Sequence, residues 1–211
     1  MHALPPLTDD LFAPAMVPLV DDAEGGIRYW PDVIQPVTAR AWFDTLQSGA
    51  AWTHLQRPMY DRIVDVPRLL ANYAVDALPD DLPLAELLAC VQAKAPAPYS
   101  RIGMNLYRNG DDSVAMHGDK LHTVSAGHPI TLVSLGAPRR MLIRAREGRR
   151  ETLAVDLMPG SVLSMSHASQ RTHEHGIPKT RRAQGPRISV VFRVRPASPV
   201  GVRGVAGVGA T

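Results

Sequence analysis

From residue 101 onward the chain is written in short apolar-alternating runs with no helical period between them: IGMNLYR, ITLVSLG, RMLIRA, ETLAVDL, SVLSMS and RISVVFRV. Turn signals (RNGDD, GAPRR, REGRR and MPG) punctuate them. A half-dozen short strands without intervening helices predict an antiparallel sandwich or barrel. At 211 residues and 45% hydrophobic, the chain suits one globular domain with a sizeable core.

The first hundred residues have a different texture. Residues 1–25, rich in Pro and Asp, read as a loosely held lead-in, and GIRYW as a first strand. VTARAWFDTLQ follows as a helix with Thr38 at its N-cap. DLPLAELLACVQAKA is the clearest helix: Asp81 caps it, Pro83 suits its first turn, and Leu84, Leu87, Leu88 and Val91 share one face. The segment from Pro196, PASPVGVRGVAGVGAT, reads as a disordered tail.

Composition narrows the classes. Cys90 is the single cysteine, which leaves no internal disulfide and no thiolate metal site and fits a reducing cytoplasm. No apolar run approaches membrane-spanning length. The net charge of +3 divides unevenly: residues 1–96 hold 6 Lys+Arg against 13 Asp+Glu, and residues 97–211 hold 17 against 7. Such a basic half suits a polyanionic partner, although an Arg-rich solvated surface would show the same balance.

The segment AMHGDKLH places His117 and Asp119 one residue apart. In extended backbone, residues i and i+2 point to one side, so the pair could offer an imidazole and a carboxylate to a divalent metal, or form a simple hydrogen-bonded pair. A second histidine makes iron the better reading, because two histidines and one carboxylate hold mononuclear Fe(II) with open positions. SHASQRTHEHGIPK supplies His167, His173 and His175, and spacing alone does not choose between His173 and His175. In PRISVVFR, alternation puts Arg187, Ser189, Val191 and Arg193 on one face and Ile188, Val190 and Phe192 on the other. Two arginines directed into a barrel are costly unless they meet anions, and six strand residues, roughly 20 Å, let two long side chains converge on a small dicarboxylate. Asn105 and Tyr107 of MNLYR share a face and offer an amide and a phenol to carboxylate oxygens. Together these residues read as a site for iron and 2-oxoglutarate.

With these pieces in place the chain resembles the AlkB family of Fe(II)/2-oxoglutarate-dependent dioxygenases. The likeness rests on NLY, HGDK, HPITLVSLG, MPGSVLSMS, HEHGIPK and PRISVVFR in family order, extended upstream by VPRLLANY. It implies that His117, Asp119 and His175 ligate iron, the context HGIPK selecting His175 over His173. It implies that Asn105, Tyr107, Arg187 and Arg193 hold 2-oxoglutarate. The implied fold is α+β, mainly β: a double-stranded β-helix (jelly roll) over residues 101–195. Residues 1–100 would form N-terminal helices and a substrate lid packed on it, and residues 196–211 a tail.

The family chemistry uses Fe(II), consumes 2-oxoglutarate and O2, and oxidatively demethylates N-alkylated bases. The resemblance therefore implies repair of alkylated single-stranded DNA or RNA in the cytoplasm, with no membrane and no obligate protein partner. Substrate-contact candidates are His117 itself, Tyr60, His122 and His173, with the six arginines from Arg139 to Arg150 and Lys179, Arg181 and Arg182 suited to phosphates. The chain departs from the family pattern at Leu121 and His122, where repair members often carry acidic base contacts, and at Ser189, where some have Asn. It also lacks an aromatic segment after VPRLLANY. The competing readings are an AlkB-like oxygenase of a protein or small molecule, a zinc-dependent hydrolase, which the paired arginines disfavour, and an RNA-binding barrel without catalysis.

Overall fold

The computed structural model describes residues 16–59, 62–148 and 151–196. Tyr60, nearly all of the expected tail and most of the lead-in lie outside the described residues. Among the described residues twelve strands pair entirely antiparallel into two sheets. In chain order they are β1 (Val17–Val20), β2 (Ile27–Trp30), β3 (Thr53–Met59), β4 (Arg62–Ala74), β5 (Arg101–Tyr107), β6 (Val114–His117), β7 (Ile130–Gly136), β8 (Arg139–Ala145), β9 (Thr152–Leu157), β10 (Val162–Met165), β11 (His173–Ile177) and β12 (Arg187–Arg193). The larger sheet runs β1-β2-β10-β7-β12-β5-β4-β3 and the smaller β6-β11-β8-β9. This two-sheet arrangement is the antiparallel sandwich that the strand pattern predicts, and matches the jelly roll that the family resemblance implies.

The alternation on β12 sorts the core. Ile188, Val190 and Phe192 are fully buried against α1 (Pro36–Gly49) and α2 (Leu84–Lys94), where Phe43, Leu46, Leu84, Leu87 and Val91 cover the outer face of the large sheet. Val191 joins a second cluster between the sheets, with Ile27, Leu132, Met141, Ile143, Leu157 and Leu163. Each large side chain so buried contributes roughly 1.5–3 kcal/mol, which pins the register of β12. Arg187, Ser189 and Arg193 therefore turn toward the space between the sheets with Val191.

Several local expectations are corrected. Thr38 lies inside α1: Gln35 takes the N-cap position without a side-chain bond, and Pro36 starts the helix because its missing N–H costs nothing there. Pro83 occupies the N-cap of α2, so Asp81 stands outside the helix and caps nothing. The lead-in holds a strand, β1, from Val17. The first hundred residues also form the β3–β4 hairpin, and β4 pairs with β5 so that the large sheet continues across residue 100. Among the described residues no helix is long and apolar enough to cross a membrane.

Candidate metal centre and cosubstrate pocket

His117 ends β6, and the pairing of β11 with β6 sets His175 opposite it. The two imidazole centroids stand 4.6 Å apart, tilted by 46°. Two residues beyond β6, Asp119 brings Oδ1 to 4.0 Å from His117 Nε2. One potential ligand atom from each of His117, Asp119 and His175 lies within 4.8 Å of the others, the only such group of His, Cys, Asp and Glu among the described residues.

His175 and Asp119 carry the protonation a metal ligand requires. Burial, reinforced by the neighbouring His117, pushes the His175 imidazole down to about 4, so it is neutral at physiological pH. His117 Nδ1 donates to the Ala115 carbonyl at 2.9 Å, which makes Nε2 the nitrogen that can face a metal. Burial works against the Asp119 charge, but the Arg193 guanidinium beside it holds the carboxyl below its ordinary range. The contact is direct, with Arg193 Nε donating to Asp119 Oδ2 at 2.6 Å. Two imidazoles and a carboxylate on one side fit Fe(II) with open positions.

The glycine between the ligands has a steric cause. A Cβ on Gly118 would stand 2.6 Å from the Gln170 carbonyl oxygen and 2.7 Å from Arg146 Nη2, closer than any side chain tolerates. Gln170, in the short helix α3 (Ser169–Thr172), also accepts the Asp119 backbone N–H through Oε1 at 2.9 Å. The sequence reading missed this clamp, because a glutamine in a polar run gives no signal of burial.

A second polar cluster lies at the other end of β12. Arg187 is 1% exposed, donates through Nε to Ser134 Oγ at 2.9 Å, and its Cζ lies 5.3 Å from the centre of the Tyr107 ring. Burial, with Arg139 adding its repulsion, pushes the guanidinium down to about 10, still fully charged at neutral pH. Its two terminal nitrogens have no partner among the described residues. A buried cation with a free fork is costly unless an anion completes it, and a carboxylate has the matching geometry. Nearby, Arg68 Nε donates to Asn105 Oδ1 at 2.7 Å, which leaves the Asn105 amide N–H groups as its available donors. Arg68 and Ser134 were not singled out from the sequence. The only sign of Ser134 was a polar residue inside the apolar run ITLVSLG.

The remaining candidates separate. His173 is half-buried on β11, outside the metal group, with Nδ1 2.9 Å from Thr172 Oγ1. His122 is exposed in a 3-10 turn (Leu121–Thr123) and lines a cavity shared with Arg193. His167 is buried away from the metal group.

The arginine cluster is corrected. Arg139 is 3% exposed and donates to the carbonyls of Asn109, Asp112 and Pro178, so it holds loops together and is closed to phosphates. Arg140 forks onto Asp156 and Arg144 onto Glu174. Arg146 is exposed, while Arg149 and Arg150 lie outside the described residues.

Comparison with known proteins agrees with this geometry. The 2OG-Fe(II) oxygenase superfamily model matches residues 75–193. Human DNA oxidative demethylase ALKBH2 is 31% identical over 102 residues, 45% of this chain and 39% of that protein. The Arabidopsis thaliana protein of the same name is 26% identical over 191 residues, 72% of this chain and 61% of that one. Human alpha-ketoglutarate-dependent dioxygenase alkB homolog 3 is 30% identical over 111 residues, 49% and 39% of the two chains. The chain spans about two fifths of the length of the mammalian relatives it matches. The solved structure of OsALKBH1 superposes with a TM-score of 0.57 at 15% identity, covering 81% of this chain and 97% of that one, a likeness of fold.

Proposed function

We propose, since this chain belongs to the 2OG-Fe(II) oxygenase superfamily and is AlkB-like within it, that it oxidatively demethylates N-alkylated bases in single-stranded DNA or RNA. The observation that carries an oxygenase reading over a zinc hydrolase or a passive barrel is Arg187: a fully buried, charged guanidinium with an open fork in the same interior as a two-His, one-Asp group. Hydrolysis has no use for that fork, and a dicarboxylate cosubstrate does.

In this reading His117, Asp119 and His175 hold Fe(II), which with 2-oxoglutarate and O2 supplies the oxidation of a carbon bonded to nitrogen. Arg187 grips the distal carboxylate of the cosubstrate, with Ser134 and Tyr107 fixing the guanidinium plane, and Asn105 offers its amide N–H groups to the proximal end. Arg193 favours the ionised form of Asp119 and donates to its Oδ2, while Oδ1 is the oxygen on the His117 side that would be offered to the metal. The apolar cluster between the sheets excludes water from the reacting atoms. The hydroxylated methyl group then leaves as formaldehyde and restores the base. A base reaches this interior only when unstacked, which favours a single strand, and the exposed Lys179, Arg181 and Arg182 suit its phosphates. His122, which lines a cavity with Arg193, and His173 are the imidazoles proposed for base contact, with Tyr60 proposed from the sequence alone.

The test is incubation with single-stranded and duplex oligonucleotides carrying 1-methyladenine or 3-methylcytosine. Loss of one methylene per lesion, dependent on Fe(II) and 2-oxoglutarate, is the expected result. Leu121 and His122 favour a second reading, an AlkB-like oxygenase of a protein or small molecule, since no carboxylate occupies that turn. Decarboxylation of 2-oxoglutarate with every oligonucleotide left unchanged would select it.

A further inference from the structure

A cavity of about 580 Å³ opens beside the metal group and is walled by three arginines, Arg101, Arg193 and Arg195, with Asn72, His122 and Thr123. No carboxylate lines it among the described residues. Arg193 and Arg101 are direct cross-strand partners between β12 and β5, a like-charge juxtaposition that weakens a sheet. Arg193 spends its Nε on Asp119, the carboxylate that a metal would also claim. Among the described residues the Arg195 guanidinium donates only to a neutral group, the Thr123 carbonyl at 2.9 Å. The Arg101 guanidinium has no hydrogen bond or ion pair among the described residues. Three cations thus converge on one hollow with less than one carboxylate between them.

The floor of the hollow is also unusual. Gly103 sits in the interior of β5, between Asn72 of β4 and Val191 of β12. A Cβ there would stand 3.4 Å from Asn72 Oδ1 and 3.5 Å from Arg193 Nη1, ordinary contacts, so packing does not enforce the glycine. Glycine weakens an interior strand and marks places where a ligand approaches the backbone. A longer side chain would grow into the cavity.

We propose that this cavity seats the phosphodiester backbone next to the nucleotide presented to the metal, with Arg101 and Arg195 neutralising phosphates and Gly103 leaving room for the sugar. Guanidinium forks match phosphate oxygens, and the small dicarboxylate has its own arginine at the far end of β12. The assignment rests on the nucleic-acid reading above and adds the path of the strand past the metal.

The test is binding of a fluorescent single-stranded oligonucleotide across a salt series, for the wild type, Arg101→Gln, Arg195→Gln, the double variant and Arg101→Lys. Counterion release gives a slope of log affinity on log salt of roughly 0.7 per contacted phosphate for single strands. Each Gln substitution should lower the slope by about 0.7 and the pair by about 1.4, while Arg101→Lys, which keeps the point charge, should retain it. Gly103→Leu should lose affinity at fixed salt. A steep wild-type slope that survives in the double variant overturns the cavity assignment and leaves the nucleic-acid reading standing. A wild type that binds no oligonucleotide overturns both. Displacement of the strand by an equal concentration of free nucleoside monophosphate would assign the cavity to a terminal phosphate and overturn the backbone path.

Discussion

Replacing Arg187 by Met separates cosubstrate binding from folding in a way few substitutions can. In the unliganded protein the guanidinium is buried, charged and joined to a single side-chain oxygen. Removing it forfeits one hydrogen bond, about 1 kcal/mol, and relieves an uncompensated buried charge, whose burial costs several kcal/mol. The unliganded Arg187→Met variant should therefore be as stable as the wild type or more so, by on the order of 1–3 kcal/mol. The liganded state should move the other way. Two charge-assisted bonds to a carboxylate contribute about 3–6 kcal/mol, so 2-oxoglutarate affinity should fall by roughly 10²–10⁴-fold. The assay is thermal unfolding with and without 2-oxoglutarate. At 100 times its dissociation constant a ligand adds about 2.7 kcal/mol, or roughly 5–10 °C for a chain of 211 residues. That rise should vanish in Arg187→Met and shrink in Arg187→Lys, because an ammonium cannot reproduce the fork. A variant that keeps the full cosubstrate-dependent rise, or whose unliganded form melts far below the wild type, would refute the reasoning.

Three further outcomes follow from the geometry. His175→Ala should abolish tight Fe(II) binding in anaerobic titration calorimetry while His173→Ala largely retains it; the reverse order would move the ligand to His173. Gly118→Ala should cost on the order of 1–3 kcal/mol in denaturant unfolding and weaken Fe(II) binding with it, since the new Cβ displaces the segment that carries Asp119; an unchanged midpoint would show that Gln170 and Arg146 yield freely. Asp112 is 3% exposed, and although burial opposes its charge, hydrogen bonds from Arg108 hold its carboxyl below the ordinary range. A depressed folded-state value gives stability that is complete above the unfolded carboxyl's range, about pH 4, and lost as pH falls through the folded value. The stability gap between wild type and Asp112→Asn should be full at pH 7 and close in acid; a gap independent of pH would count against the ion pair.

The strands legible in the sequence were those whose apolar alternation is undiluted, and β5, β7, β8, β9, β10 and β12 all appear where that pattern runs. β6 and β11 were illegible because polar His117 and His175 sit where an apolar residue would otherwise mark the strand. The β3–β4 hairpin was hidden because Arg, Asp and Gln interrupt its apolar pattern. Among charged residues, sequence could not separate the inward Arg139 from the outward Arg140, since a run of arginines carries no record of which carbonyls lie within reach. Arg187 and Arg193 escaped that ambiguity because Ile188, Val190 and Phe192 between them fix the face.

The position of both arginines on β12 has a consequence for how such a site can change. The strand is bonded on both sides, to β5 and to β7, so neither neighbour can let it slide. Inserting a single residue between 187 and 193 would turn one arginine into the apolar layer beneath α1 and α2. The gap between the buried Arg187 guanidinium, proposed to anchor the distal carboxylate, and the Arg193 brace on Asp119 is therefore quantised. It can lengthen or shorten only by pairs of residues, roughly 7 Å at a time. That increment far exceeds the difference between neighbouring dicarboxylic acids, so the strand works as a fixed gauge, and a lineage on this scaffold would retune cosubstrate length through side chains alone.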